Sequence, residues 1–373
     1  MTEHLARVCD GALVAMFCVA LAVPLVLTSS TAWDAAAERR AESPLPKADL
    51  LLADPKDFTT AAEDYFDDHF GMRRALVDLR NLIDVRVFRA SPTPLVTMGR
   101  QDWLFFEGDG SREDFAGRRA LAPADLAAWR AAVTRRRDQL AAQGITYVLA
   151  VIPNKQTVYP EFLPGGVRAG VSRAQQFSDD LRGTDVADTV LFLAPSLIAA
   201  KGRGDLYQHL DSHWNARGAY VAYRAIMERV EQLSGHAHNL VTFPWDAFTP
   251  APEQDRDLAR MMGVPLQASG AVDPSRLPIP RITIAEFEGI DATPAEDLAK
   301  QDAARSCSSA DGRILLFHDS FGGAIWRYFA GSFARLRTHS RQPNDDQLQR
   351  YVALERPDVV VELGVERNLD PAR

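Results

Sequence analysis

The stretch Tyr207–Tyr220, YQHLDSHWNARGAY, sets Asp211 and His213 two residues apart, followed by Trp214, Asn215 and a helix-forming run. A carboxylate and an imidazole so placed are part of a proton relay that lacks a nucleophile. LLFHDSFGGAIW supplies one: Ser320 stands between an apolar run and a helix entered through Gly322 and Gly323. A serine hydroxyl is a weak nucleophile near neutral pH. It needs an imidazole to take its proton, and that imidazole needs a carboxylate to fix its tautomer. In an extended turn Asp211 and His213 point to one side, so Asp211 can hold one ring nitrogen while the other reaches Ser320. The Ser320 N–H, near a helix N-terminus, would meet a developing oxyanion. Each piece also has an ordinary structural role. Ser320 or Asp319 would cap the helix that follows, and Ser212 or Asn215 would cap the next helix after the Asp–His pair. The conjunction of the two stretches is what points to a triad.

The elements around them place both stretches where a site belongs. ITYVLAVIP, TVLFLAP (Thr189–Pro195), GRILLFHDSF and PDVVVELGVE are apolar runs of the kind that form parallel strands covered on both faces, and SFARLRTHS reads as a further strand. VTMGRQDWLFFEGDG reads as a strand ending in a turn at Gly108–Gly110. Helices are predicted in APADLAAWRAAVTRRRDQLAAQG, from Asn215 to Leu233, in GGAIWRYFA and in DDQLQRYVALERP. This alternation from about residue 97 onward predicts an α/β layered domain with a mostly parallel sheet. Ligands of such sheets sit beyond the C-terminal strand ends, where Asn154 and Lys155, HLDSH and HDSF all fall. Residues 236–311, rich in Pro, Asp and small side chains, read as a partly ordered insertion.

The 373-residue chain carries a net charge of −8, which argues against wholesale binding of nucleic acid. An anionic substrate would have to be met by placed Arg or Lys. Of the cysteines, Cys9 and Cys18 lie near the N-terminus and Cys307 far away, so no disulfide is expected in the remainder. No Cys/His cluster has zinc spacing, and neither a metal nor a cofactor is expected; His236 and His238 in GHAH have the makings of a weak metal site but read more readily as a polar loop. Gly11–Leu27, GALVAMFCVALAVPLVL, is uncharged and long enough to cross a thin hydrocarbon layer as a helix. It reads as an uncleaved signal anchor, with a signal peptide cut near Ala35–Ala37 as the alternative. Either places the remainder outside the cytoplasm. A Pro-rich linker, Glu42–Pro55, and a helical lead-in broken at Gly71 follow. The expected division is a membrane segment over 1–30, linker and lead-in over 31–95, and the α/β domain over 96–373.

LDSHWNARGAY, HDSFGG and PDVVVELGVERNL, together with DHFGMRRALVDLRN, GRQDWLFFEGD, VIPNKQTVYPEFLP and DLARMMGVP, resemble in order the alginate O-acetyltransferase family of the AlgJ and AlgX type. The resemblance runs from about Glu63 to Leu369 and implies an SGNH-hydrolase-like domain; the N-terminal segment looks more like the AlgJ branch. It implies transfer of acetyl groups through Ser320, His213 and Asp211 onto a polysaccharide during export. A membrane-bound O-acyltransferase partner at the inner membrane is implied by the family alone. Asn154 and Lys155 are candidates to help the Ser320 N–H at the oxyanion. Trp214, Trp326 and Arg327 are candidates for acceptor binding, against the ordinary roles of core packing and a snorkelling cation. Trp103, Phe105 and Phe106 read as core, and Glu362 with Glu366–Arg367 as a buried structural network. The chain departs from the family at His318, where Gly is usual two residues before the serine. An esterase on the same triad and a non-catalytic scaffold of an export complex are the competing readings.

Overall fold

The apolar runs form the middle of a seven-stranded sheet. The computed structural model describes residues 11–19, 22, 43–69, 73–254, 256–274, 277–280, 283–285 and 303–369. Its strands are β1 (Val96–Met98), β2 (Leu104–Phe106), β3 (Thr146–Ile152), β4 (Val190–Phe192), β5 (Pro250–Gln254) and β6 (Gln267–Val272). They continue with β7 (Thr283–Ala285), β8 (Ala303–Ser306), β9 (Arg313–His318), β10 (Arg335–His339) and β11 (Val359–Val365). The large sheet has the order β4-β3-β11-β9-β10-β8-β7. β4 through β10 run parallel, and β8 and β7 extend the edge antiparallel. The chain divides into two units, Met1–Pro92 and Thr93–Arg373, and the sheet belongs to the second.

The strands β3, β9 and β11 are mostly apolar because both faces are covered. Tyr147, Leu149 and Val151 of β3 and Leu315 and Phe317 of β9 turn to one side. There they meet α1 (Pro123–Ala141), α2 (Arg173–Leu181) and, farther along the chain, the helix Asp345–Glu355. Val148, Ala150, Ile152, Ile314 and Leu316 turn to the other. They meet α3 (Ala216–Ser234) and, beyond the short α4 (Asp257–Met262), α5 (Gly322–Ser332). The helix Asp345–Glu355 is α6. α3 starts where its side chains dictate: Asn215 accepts from the N–H groups of Arg217 and Gly218 at 2.9 and 3.1 Å.

Several elements differ from the sequence reading. VTMGRQDWLFF is a hairpin, not one strand: β1 and β2 pair antiparallel, and Gln101 and Asp102 turn the chain at φ of 55° and 63°. The described part of the insertion carries regular elements. β5 and β6 form a separate two-stranded sheet, α4 follows β5, and β7 and β8 join the large sheet. Their pattern is weak because β5, β6 and β7 lie at sheet edges and β8 is only four residues long. In the first unit the Pro-rich linker contains a helix, Ala48–Ala53, and the lead-in holds two more, Pro55–His69 and Arg73–Arg86. The expected break at Gly71 and the possible cleavage site at Ala35–Ala37 lie outside the described residues, as does much of Gly11–Leu27. Residues 11–19 and 22 are helical. Among the described residues no helix is long and apolar enough to cross a membrane.

His318, the bulky residue at the end of β9, fits because of Gly322. A Cβ built on Gly322 would lie 2.0 Å from His318 Nδ1, so the imidazole fills the space that a side chain on the first turn of α5 would take. Gly322→Ala is expected to lower stability by about 1–3 kcal/mol in urea unfolding. The same change in a His318→Gly background should cost much less; an equal loss in both backgrounds would show that the ring is not the obstacle.

Candidate active site

The loop that carries Asp211 and His213 is built on buried carboxylates. Glu253, at the end of β5 and fully buried, accepts the N–H groups of His209 and Leu210, both at 2.8 Å. Asp257, the first residue of α4, accepts the Ser212 N–H at 2.8 Å and the Ser212 hydroxyl. Asp211 accepts the N–H of His213 at 3.0 Å. The carbonyls of the same loop face a cation: Lys155 Nζ donates to Leu104 O at 2.6 Å and His209 O at 3.2 Å. Burial lowers the Lys155 ammonium to about 8, although Asp211, Glu253 and Asp257 pull it up. Trp103 closes the underside, its ring 4.3 Å from that of His209 and 4.7 Å from that of Phe162.

On this platform the three sequence candidates meet. His213 Nε2 lies 2.7 Å from Ser320 Oγ, and His213 Nδ1 lies 2.6 Å from Asp211 Oδ1. Burial pushes the Asp211 carboxyl up, but the hydrogen bond and charge of His213 outweigh it and hold Asp211 at about 2. An ionised Asp211 fixes the hydrogen on Nδ1 and leaves Nε2 as the acceptor, the tautomer a general base needs. Ser320 is exposed, and its N–H has no hydrogen-bond partner among the described residues. Asp319 fixes the turn: Oδ1 accepts the N–H of Phe321 at 3.0 Å and Oδ2 that of Val365 at 2.8 Å, tying the end of β9 to the end of β11. Asn215 is therefore a cap, as its type allows, whereas α5 has Phe321 at its N-cap with no side-chain cap bond, so neither Asp319 nor Ser320 has that duty.

The other candidates divide. Asn154 follows β3, where Glu366 Oε1 accepts its N–H at 2.7 Å and Arg367 Nη1 donates to its Oδ1 at 2.8 Å. Its Nδ2 is buried with no hydrogen-bond partner among the described residues, so a donor is available there. Lys155 is corrected: its ammonium is committed to two backbone carbonyls beneath the loop and is not a free oxyanion donor. Trp214 is also corrected. It is 1 % exposed and donates its indole N–H to Phe321 O at 3.1 Å, tying the His213 loop to the Ser320 turn from inside the core. Trp326 is half-buried and has one face covered by the Arg305 guanidinium at 3.8 Å. Arg327 has no ion pair among the described residues and borders a cavity of about 210 Å³ with Gln208, Trp214, Arg256 and Gly323. Arg256 there has no ion pair either, and its Nε is buried without a partner. A larger cavity, about 510 Å³, lies on the opposite sheet face between α1 and α6 and reaches the site only at Asp319.

Glu362 and Glu366–Arg367 are structural but not one network. Glu362 pairs with Arg136 at 2.7 Å and accepts from Tyr147 at 2.9 Å, whereas Glu366 holds Asn154, Thr157 and Ser172. Asp257, Glu253, Asp319 and Arg367 had no assigned part in the site. DLARMMGVP was a signal for Asp257, but a carboxylate that serves amides more than forty residues away leaves no local spacing. Asp211, His213 and Asp257 bring two carboxylate oxygens and Nδ1 within 4.8 Å of one another. Hydrogen bonds between His213 and Asp211 and between Ser212 and Asp257 already engage those atoms.

The family described as SGNH hydrolase-like domain, acetyltransferase AlgX, matches residues 96–299, more than half of the chain. That stretch includes Asp211 and His213; Ser320 lies beyond it. The probable alginate O-acetylase AlgJ of Pseudomonas putida is 33 % identical over 180 residues, 47 % of this chain and 43 % of the relative. Its counterpart in Pseudomonas syringae pv. tomato is 31 % identical over 201 residues, 50 % of this chain and 46 % of the relative. The chain thus spans less than half the length of these curated relatives. Among solved structures, the O-acetyltransferase domain of Pseudomonas putida AlgJ aligns at 20 % identity and a TM-score of 0.44, covering 75 % of this chain and 94 % of that one. Bacillus cereus PatB1 aligns at 16 % identity and a TM-score of 0.45, covering 74 % and 98 %.

Burial pushes the Glu366 carboxyl up to about 7, against the pull of Thr157, Asn154 and Ser172. In the unfolded chain it sheds its proton near its ordinary 4.5, so between 4.5 and 7 the folded chain binds more protons. Its contribution to stability is therefore complete below about 4.5 and is lost as pH rises to about 7. Glu366→Gln is expected to flatten this part of the stability profile in thermal melts; an unchanged slope would contradict the assignment.

Proposed function

The chain belongs to the family of AlgX-type SGNH hydrolase-like acetyltransferase domains, and from that premise we propose that it is a Ser-His-Asp O-acetyltransferase acting on an exported polysaccharide, alginate or a related polymer. The observation that carries this is the unbroken line Asp211–His213–Ser320, with contacts of 2.6 and 2.7 Å. Neutral His213 takes the Ser320 proton at Nε2 as Oγ attacks the acetyl carbonyl of an ester donor. The Ser320 N–H and Asn154 Nδ2 are the donors assigned to the oxyanion. His213 then gives its proton to the leaving oxygen, and the acetyl group remains on Ser320 as an ester. A sugar hydroxyl enters next, loses its proton to Nε2 and attacks that ester. The proton returns to Ser320 Oγ as the acetylated sugar leaves.

The acceptor side is assigned to the small cavity beside α5. Arg256 and Arg327 border it without acidic partners among the described residues, in a chain whose net charge is −8. Two guanidiniums with no acidic partner among the described residues, beside a sugar-sized space, suit the carboxylate of a uronic acid, and the named relatives are probable alginate O-acetylases. Trp326, with Arg305 over one face, is kept as an acceptor candidate outside that cavity in this reading. The α/β domain over 96–373 is assigned to the periplasm, held at the inner membrane by the segment 1–30, with a cleaved signal peptide as the second option. A membrane-bound O-acyltransferase is assigned as the acetyl donor's source. The exposure of Ser320 favours one other reading, an acetyl esterase on the same triad, because water can reach the acetyl-enzyme.

Mixed with an acetyl ester and deacetylated polyuronate, the protein is expected to yield acetylated polymer. Ser320→Ala and His213→Ala should each lower the rate by about a thousandfold or more. Acetate release with no polymer product would decide for the esterase, and turnover and cellular acetylation indifferent to Ser320→Ala would leave only a scaffold. The double change Arg256→Ala/Arg327→Ala is expected to raise the KM for polyuronate about tenfold, roughly the loss of one charge-assisted contact. An equal rise for a neutral glucan would remove the carboxylate from the assignment.

A further inference from the structure

The imidazole of His213 faces two carboxylates. Asp211 Oδ1 is 2.6 Å from Nδ1; Asp257 Oδ2 is 3.7 Å from the same nitrogen. Between Asp257 and the ring stands Ser212, whose hydroxyl donates to Asp257 Oδ2 and whose oxygen lies 3.3 Å from Nδ1. Asp257 Oδ1 accepts the Ser212 N–H at 2.8 Å, so both its oxygens hold the residue between the acid and the base. We propose that Asp257, acting through the Ser212 hydroxyl, is a second positioning carboxylate of the triad that raises the basicity of His213 when it receives the Ser320 proton. This rests on the acyl-transfer reading above.

Chemistry favours two carboxylates at this point. When His213 becomes an imidazolium, its positive charge sits on a ring whose side chain is only 26 % exposed. Asp211 supplies the direct partner, and Asp257 adds a negative charge one hydrogen-bonded oxygen away. A Ser212 oxygen whose own proton goes to a carboxylate presents lone pairs to Nδ1–H, which makes the ring's donor bond bifurcated. The charges around the cluster are accounted for: Lys155 faces Asp211, Glu253 and Asp257 from below, and Arg367 faces Asp257 and Asp319 from the end of β11. Burial and then the neighbouring Asp211 push the Asp257 carboxyl above its ordinary range. It is thus the carboxylate of the pair that gains a proton first as pH falls, which ties it to the acid side of the activity profile. A purely structural Asp257 would hold the loop through Ser212 without touching the ring's proton affinity, and the two roles separate experimentally.

The test is the pH profile of kcat/KM with a small acetyl ester, together with the His213 titration followed by NMR, in the full chain. Asp257→Asn keeps shape and removes charge. It is expected to lower kcat about tenfold and to move both the acid limb and the His213 pKa down by about one unit. Asp257→Glu should restore most of both, and Ser212→Ala should shift the limb in the same direction while leaving the Asp257 charge. Lower kcat with an unmoved limb and an unmoved His213 titration would overturn the proposal in favour of a structural role, as would no change at all. If Asp257→Asn does not fold, Ser212→Ala decides by the same readings. Failure of the acyl-transfer reading shows separately, as turnover that survives Ser320→Ala, while the His213 titration tests Asp257 either way.

Discussion

A carboxylate removed from water needs donors, and a loop without regular structure needs acceptors; between His209 and Asn215 each need answers the other. Glu253, Asp257 and Asp211 take the N–H groups of His209, Leu210, Ser212 and His213, and Asn215 takes those of the helix that follows. Each such group left buried and unpaired would cost about 1–3 kcal/mol. The arrangement that satisfies them all points His213 at Ser320. Lys155, a buried cation beneath three carboxylates, keeps the charge of the cluster in check.

The sheet supplies the other half. Parallel strands end at one side, so the residues after β3, β9 and β11 gather without any loop having to travel far. Asn154, Ser320 and Glu366–Arg367 are those residues. Asp319 links the ends of β9 and β11, Arg367 reaches Asn154, and Trp214 anchors the His213 loop to Phe321. Ser320 thus stands beside the sheet and His213 on a loop held by buried ion and amide contacts. Precision of this kind is what proton transfer demands of its groups.

What the sequence disclosed follows from how far each constraint reaches along the chain. The buried strands β3, β9 and β11 were legible because burial on both faces writes itself as a nearly continuous apolar run. Asp211 and His213 were legible as a closely spaced carboxylate and imidazole before a helix, and Ser320 as a serine after a strand, and the structure brings the three within hydrogen-bond reach. The hairpin β1–β2 was hidden because Gln101 and Asp102 turn with positive φ without the Gly that usually marks it. Lys155 and Trp214 were misassigned because type and position reveal that a polar or aromatic group is near a site, but not which way it faces. Glu253 and Asp257 left no trace of their duty: their partners are backbone amides more than forty residues away, and any sequence has those.

The central claim is that the buried carboxylate loop delivers a working base to Ser320. Mass spectrometry after brief exposure to a sulfonyl fluoride measures this most directly, since a serine is sulfonylated at useful rates only when its proton is being taken. One adduct on Ser320 is expected, absent in His213→Ala and strongly slowed when Glu253→Gln loosens the loop. An unmodified Ser320 in the intact protein, or labelling that persists without His213, would contradict the account.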